Sequence, residues 1–270
     1  MHRYHLQLFS IVLSGVLISI PLVAQQSNQP TVIQGLSAES VLMSAAAASM
    51  ANASISDVTL SGSARRIAGA DDETGTVTFE ALSNGAARFD FTYPSGVTNE
   101  TQTMSEGGPS GVWSGPDGIR HAISPHNLNH SEMVFPAFTL ANFASGKNLL
   151  FGYVGQEIKN GHSVYHLWIE QQFPGSPASA AVLAQHLTHT DIFIDISSFL
   201  VIALDFNMHP DDDASIDIPA ELCFSDYHTV SGAPIPFHVE KFLNNGLVLD
   251  LEFKNASLNT GISPAAFGIQ

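Results

Sequence analysis

Basic residues are scarce in this chain of 270 residues: 9 Lys+Arg stand against 25 Asp+Glu, a formal charge of −16. A nucleic-acid surface needs a basic footprint, and the Arg65-Arg66 pair is the nearest thing to one. The same repulsion disfavours docking on an anionic membrane face. Cysteine is scarcer still. Cys223 is the only one, so no internal disulfide forms and the domain is held by its core alone. Cys223 sits in Glu221-Leu222-Cys223-Phe224, among neighbours that read it as a small buried apolar side chain. Catalytic motifs are missing as well: there is no Gly-x-Ser-x-Gly elbow and no Ser-x-x-Lys. These absences leave an acidic, disulfide-free chain with no announced chemistry.

Among the features present, the first is the amino terminus. Arg3 is followed by an uncharged apolar run from Leu6 to Ala24, broken by Pro21, and then by polar Gln25-Gln26-Ser27-Asn28. A basic start, an apolar stretch and a small residue before a polar segment predict a signal peptide over residues 1–24. Residues 25–36 read as a flexible leader and residues 37–270 as one β domain. Cleavage removes the only long apolar run, so no membrane span remains and the chain is expected in the periplasm or outside the cell. No cysteine stands at the junction to carry a lipid.

Ser37 to Ala51 predicts a helix, with Ser37 as cap and Glu39 in the first turn. Strand patterns then dominate: Ile55–Ala64, Gly75–Leu82, Arg88–Tyr93, Asp191–Ile196, Leu200–Asn207, Ala220–Tyr227, Ile235–Leu243 and Leu247–Phe253. Val77, Phe79 and Ala81 alternate with Thr76, Thr78 and Glu80. Three Asn-Gly pairs, at Asn84, Asn160 and Asn245, suit type I′ hairpin turns and point to antiparallel pairing. Two further helices are expected, Ser131–Ala144 with a short first turn before Pro136, and Pro177–Thr188.

The histidines suggest metal binding but do not assemble a site by spacing. His126-x3-His130 lies in loop-like sequence, His186-x2-His189 ends a helix, and His162 and His166 lie about 13 Å apart on a strand. No pair is followed by a third ligand, so no metal and no cofactor is assigned. Asp211-Asp212-Asp213 with Asp217 resembles part of a calcium loop without its Gly and closing Glu. Trp113 and Trp168 read as core residues among apolar neighbours.

In its order of elements the chain resembles the LolA/LolB-like family of periplasmic lipoprotein carriers. The resemblance runs from the helix at Ser37 through Val58-Thr59-Leu60-Ser61-Gly62, Gly75-Thr76-Val77-Thr78-Phe79 and Arg88-Phe89-Asp90-Phe91-Thr92-Tyr93-Pro94. It continues through Val112-Trp113-Ser114-Gly115-Pro116-Asp117-Gly118, Tyr153-Val154-Gly155-Gln156-Glu157 and the segment from Asp191 to Asn259, with Pro109 to Phe143 as an insert-like departure. It implies an α+β fold, a mostly antiparallel, incomplete, half-open β-barrel with an N-terminal helix and one or two helices on its concave side. It also implies a non-enzymatic exported protein that binds or carries a lipid or acyl chain in the cell envelope. Phe135, Phe138 and Phe143 are the candidate cavity residues, on a helix placed to plug the concave side. The alternatives are an envelope interaction module whose protein partner is unknown, or a metal-dependent hydrolase. No catalytic residue is assigned.

Overall fold

The computed structural model describes residues 36–51, 54–105, 108–128 and 132–268, which fall within one compact unit, Val32–Gln270. The expected signal peptide and leader, except Leu36, and His130 lie outside the described residues. Among the described residues no helix is long and apolar enough to cross a membrane.

The first element is α1, Ala38–Met50. Ser37 caps it in a reciprocal box: Ser40 N donates to Ser37 Oγ, and Ser37 N donates to Ser40 Oγ. Ala51 ends the helix in the left-handed conformation, φ 45°. Five strands follow: β1 (Asp57–Ala68), β2 (Asp71–Leu82), β3 (Ala87–Tyr93), β4 (Gly96–Ser105) and β5 (Gly108–Ser114). After the short β6 (Arg120–Ala122), α2 (Pro136–Ser145) starts with Pro136 in its first turn. Then come β7 (Leu149–Lys159), β8 (His162–Gln171), α3 (Ala178–Thr188), β9 (Thr190–Asp195) and β10 (Val201–Met208). The last strands are β11 (Ile218–Val230), β12 (Ala233–Leu243) and β13 (Gly246–Leu258).

All thirteen strands join one antiparallel sheet, in the order β6-β5-β4-β3-β2-β1-β13-β12-β11-β10-β9-β8-β7. The chain therefore builds outward from β1 and returns through β13 beside it. The sheet is unclosed and the fold is a half-barrel, as the resemblance implied. Alternation gives it one apolar face: Ala87, Phe89, Phe91 and Tyr93 are buried on β3, while Arg88, Asp90 and Thr92 turn away. Phe79, Phe89, Phe91 and Tyr93 form a continuous ring stack, with neighbouring centroids 4.7, 5.3 and 5.7 Å apart. α1 packs on α2 and reaches both β12 and the edge strand β7. Val41, Leu42 and Ala45 of α1 share the main core with Phe138 and Leu140 of α2 and the apolar sheet face.

The three Asn-Gly pairs all lie at hairpins, but only Asn160-Gly161 forms the two-residue turn itself, with φ of 52° and 81° between Lys159 and His162. At the β12–β13 link Leu243 pairs with Gly246, so the positive-φ turn is Asn244-Asn245. At β2–β3 Gly85 N donates to the Leu82 carbonyl and Leu82 N to the Ala86 carbonyl. With φ of 96° at Gly85 alone, this is a type I turn closed by a glycine bulge. The insert-like stretch also differs from expectation: β5 and β6 extend the sheet there. Their polar, glycine-bearing sequences hid strands that lie at a sheet edge, where less apolar area is buried.

Gly62 sits at a bulge where β1 meets β13. A Cβ there would lie 2.0 Å from the Glu252 carbonyl oxygen. Gly62→Ala is expected to destabilise the domain by at least about 1–3 kcal/mol, since neither backbone has room to yield. Urea unfolding of the two proteins measures this directly.

Two charged groups contribute stability with opposite pH dependence. Burial would raise the pKa of Asp57, but hydrogen bonds from Thr260, Ser56 and Gly261 outweigh it and hold the carboxyl below 3.8. For His166, burial lowers the pKa, and the hydrogen bonds and charges of Asp191 and Glu157 overcome this and raise it above 6.5. The Asp57 contribution is complete above pH 3.8 and is lost as pH falls through the folded pKa; that of His166 is complete below pH 6.5 and is lost as pH rises through its own. In thermal unfolding across pH, Asp57→Asn is expected to flatten the loss of stability on the acid side and His166→Gln the loss as pH rises above 6.5.

Candidate ligand pocket

The apolar face of the sheet encloses a cavity of about 230 Å³. Its walls come from both halves of the sheet: Phe89 and Phe91 on β3 and Trp113 on β5 face Leu222 on β11, Lys241 on β12 and Leu251 on β13. Met208 at the end of β10 completes that side. β5 and β10 are eight strand positions apart, about 38 Å in a flat sheet. Their meeting around one small cavity follows from the curl of the sheet. Ile123, Asn127 and Val134 close it from the connection between β6 and α2.

That connection is fastened to the loop after β10. Asn127 Nδ2 donates to the His209 carbonyl at 2.7 Å, and His209 N donates to Asn127 Oδ1 at 3.1 Å. His126 Nε2 lies 3.0 Å from the Pro210 carbonyl. The mouth is polar and partly open: Asp211 lies in the lining, and Trp113 is 40% exposed and stacked on His121 with centroids 4.4 Å apart. Trp113 is thus a surface aromatic of the pocket, not the core residue expected; Trp168 is half-buried against His189.

Among the described residues Lys241 is the one basic residue in the lining, which it shares with the carboxylates of Glu100 and Asp211. It follows Ala233, Ile235, Phe237 and Val239 at intervals of two and so stands on the inward face of β12, with cross-strand partners Leu222 and Leu249. Among the described residues no hydrogen bond or salt bridge holds its ammonium. Burial pushes its pKa down, partly offset by the charge of Glu100. An inward lysine on an alternating strand is the signal that sequence reasoning missed.

Phe135 and Phe138 are fully buried and meet edge to face at 4.8 Å, while Phe143 packs half-buried against the same core. The residue of this segment that lines the cavity is Val134. Cys223 faces the outer side of β11, half-buried, with burial and the charges of Glu221 and Glu240 pushing its thiol up to about 12. That removes it as a nucleophile at neutral pH.

Further polar clusters lie on the outer face and in the loops. Lys159 bridges Asp205 and Glu221 at 2.8 and 2.9 Å. His166 and His189 both contact Asp191, and His162 lies 3.5 Å from Asp195. Asp213 closes its own loop by accepting from Ser215. Ser225, His238 and Asp250 form a hydrogen-bonded row across β11, β12 and β13, at 3.0 and 2.9 Å. The row resembles a hydrolytic triad in its residue types, and it lies on the outer face of the sheet, away from the cavity.

No family model matches this chain, and no curated protein matches it. Solved structures do. A DUF1329 family protein from Desulfovibrio piger superposes with a TM-score of 0.58 at 13% identity, covering 85% of this chain and 96% of that one. A LolA superfamily protein from Nitrosomonas europaea gives a TM-score of 0.53 at 12% identity, covering 87% and 98%. A domain assigned to outer membrane lipoprotein sorting from Vibrio parahaemolyticus gives 0.53 at 12%, covering 84% and 95%. At these identities the likeness is one of architecture, and over most of its length this chain has the fold of the LolA superfamily.

Proposed function

We propose that the protein is an exported binding or carrier protein for a single-chain amphiphile with an anionic head group, acting in the periplasm or outside the cell. The observation that carries this reading is a single lysine, without a hydrogen bond or salt bridge among the described residues, set among the aromatic and aliphatic walls of a cavity that also holds the carboxylates of Glu100 and Asp211. The aromatic and aliphatic walls suit an acyl chain, and each buried methylene stabilises it by about 0.8 kcal/mol. The desolvated ammonium of Lys241 suits a carboxylate or phosphate oxygen, because a charge-assisted bond in that setting replaces the water it has lost. At about 230 Å³ the cavity suits one chain rather than several. The lipoprotein-sorting assignment of a structural neighbour is in keeping with an acylated cargo.

In this reading residues 1–24 direct export, residues 25–36 are a leader, and the remaining residues form the carrier domain. Phe135, Phe138 and Phe143 act as the packing that holds the cover segment over the trough, with Val134 presented to the ligand. The fold-level comparison favours carriage over catalysis.

Thermal unfolding with dodecanoate and with dodecanol separates the two halves of this reading. At ligand concentrations near 100 Kd, dodecanoate is expected to stabilise the protein by about 2.7 kcal/mol. Dodecanol, with the same chain and no charge, is expected to stabilise it far less. Equal stabilisation by both would remove Lys241 from the site, and none by either would refute the carrier reading.

A further inference from the structure

We propose that His186, His209 and Asp217 form a binding site for a divalent transition metal ion of the zinc class. The three come from separate segments: the last turn of α3, the residue after β10, and the residue before β11. One ligand-capable atom from each lies within 4.8 Å of the others. Asp217 Oδ1 is central, 3.0 Å from His186 Nε2 and 3.5 Å from His209 Nδ1. Two imidazoles and one carboxylate suit zinc and its neighbours, whereas calcium and magnesium select oxygen donors.

A second observation comes from His209 itself. Its side chain has no exposed surface, and its Nε2 is buried without a hydrogen-bond partner. The ring is one bond short in either tautomer, so hydrogen bonding alone does not account for burying an imidazole here. His209 Nδ1 lies 3.0 Å from the Ile216 carbonyl. Donation to that carbonyl is the arrangement that usually orients a ligating histidine, and it leaves Nε2 with the free lone pair. Nε2 is then the ligating atom, and the 3.5 Å approach of Nδ1 to Asp217 places the ring beside the carboxylate without itself being a ligand distance. The double hydrogen bond to Asn127 fixes the backbone of His209 in place.

His186 and Asp217, by contrast, are 40% and 41% exposed. They are free to swing from the present spacing toward the roughly 2.0–2.2 Å bonds that zinc requires. Their exposure also gives the ion a path in and leaves a coordination position for water. The ion has structural work available: α3 has no buried residue, so few contacts hold it down. A metal spanning His186, His209 and Asp217 ties the end of α3 to the β10–β11 loop, the loop that also carries Asp211 to the pocket mouth.

Full-chain protein, stripped with a chelator and titrated with zinc in a calorimeter, tests this. One equivalent is expected to bind. His186→Gln and Asp217→Asn, both at exposed positions, are each expected to weaken binding by at least the ~10–100-fold that losing even an outer-shell partner costs. His189→Gln, three residues from His186 but bonded to Glu170 and Asp191, is expected to bind as the unaltered protein does. Circular dichroism confirms that each variant is folded. No zinc uptake by folded protein overturns the proposal, as does undiminished binding in His186→Gln and Asp217→Asn.

Discussion

Lys241→Met is expected to weaken binding of an anionic single-chain amphiphile about 10–100-fold, the worth of one hydrogen bond to a charged group. The same change is expected to make the empty protein more stable, by about 0.5–2 kcal/mol. The opposite signs follow from one cause. Lys241 stands on the inward face of β12 between Leu222 and Leu249, and its ammonium is desolvated there. In the empty protein that charge is a cost, and methionine fills the same volume without it. In the complex the charge meets the ligand's head group, and the cost is recovered. Its depressed pKa sets the pH sign: the empty protein gains stability as pH rises through the folded pKa toward 10.5, and Lys241→Met lacks that gain. Titration calorimetry with dodecanoate and urea unfolding without ligand read the two arms. A purely structural Lys241 would show the stability change and no loss of affinity.

Phe138→Ala is expected to cost about 3–5 kcal/mol, enough to threaten folding of the domain. Phe138 has no exposed surface, packs edge to face on Phe135, and joins α2 to the core shared by α1 and the sheet. Phe138→Asp is expected to prevent folding outright, because a carboxylate would be left there without a partner. Val134→Ala is expected to be much milder in stability and to act on ligand affinity, since Val134 belongs to the cavity wall. Chemical unfolding of the Phe138 and Val134 variants distinguishes a supporting core from a lining surface. A Phe138→Ala cost below about 1 kcal/mol would place that ring in open space instead.

What was legible in the sequence was what depends on near neighbours. Ser37 and Glu39 mark the start of α1, Pro136 marks the first turn of α2, and alternation at Val77, Phe79 and Ala81 gives the buried face of β2. The Asn-Gly pairs located hairpins correctly while mistaking the turn at two of them, because register moved the turn by one residue at Asn245 and a glycine bulge formed at Gly85. The strands β4 to β6 were harder to see, since Thr, Asn, Glu and Gln fill positions where central strands carry Val or Phe.

The pocket was illegible for a different reason. Phe89 and Lys241 line one cavity although some 150 residues separate them, and only the curl of the sheet brings their strands together. The lysine itself was within reach, since the spacing from Ala233 to Lys241 places it inward. His186, His209 and Asp217 were not, because no two of them share a helix or strand. Spacing rules find ligands on one helix or strand, and this cluster is assembled from a helix end and both ends of a loop.

The most direct measurement is mass spectrometry of solvent extracts from the protein, purified without detergent from a bacterial periplasm, alongside Lys241→Met prepared identically. The expected result is close to one equivalent of a single-chain anionic amphiphile in the unaltered protein and a large loss of it in the variant. An empty extract from well-folded unaltered protein, or a neutral lipid retained equally by both, would contradict the carriage of an anionic amphiphile on Lys241.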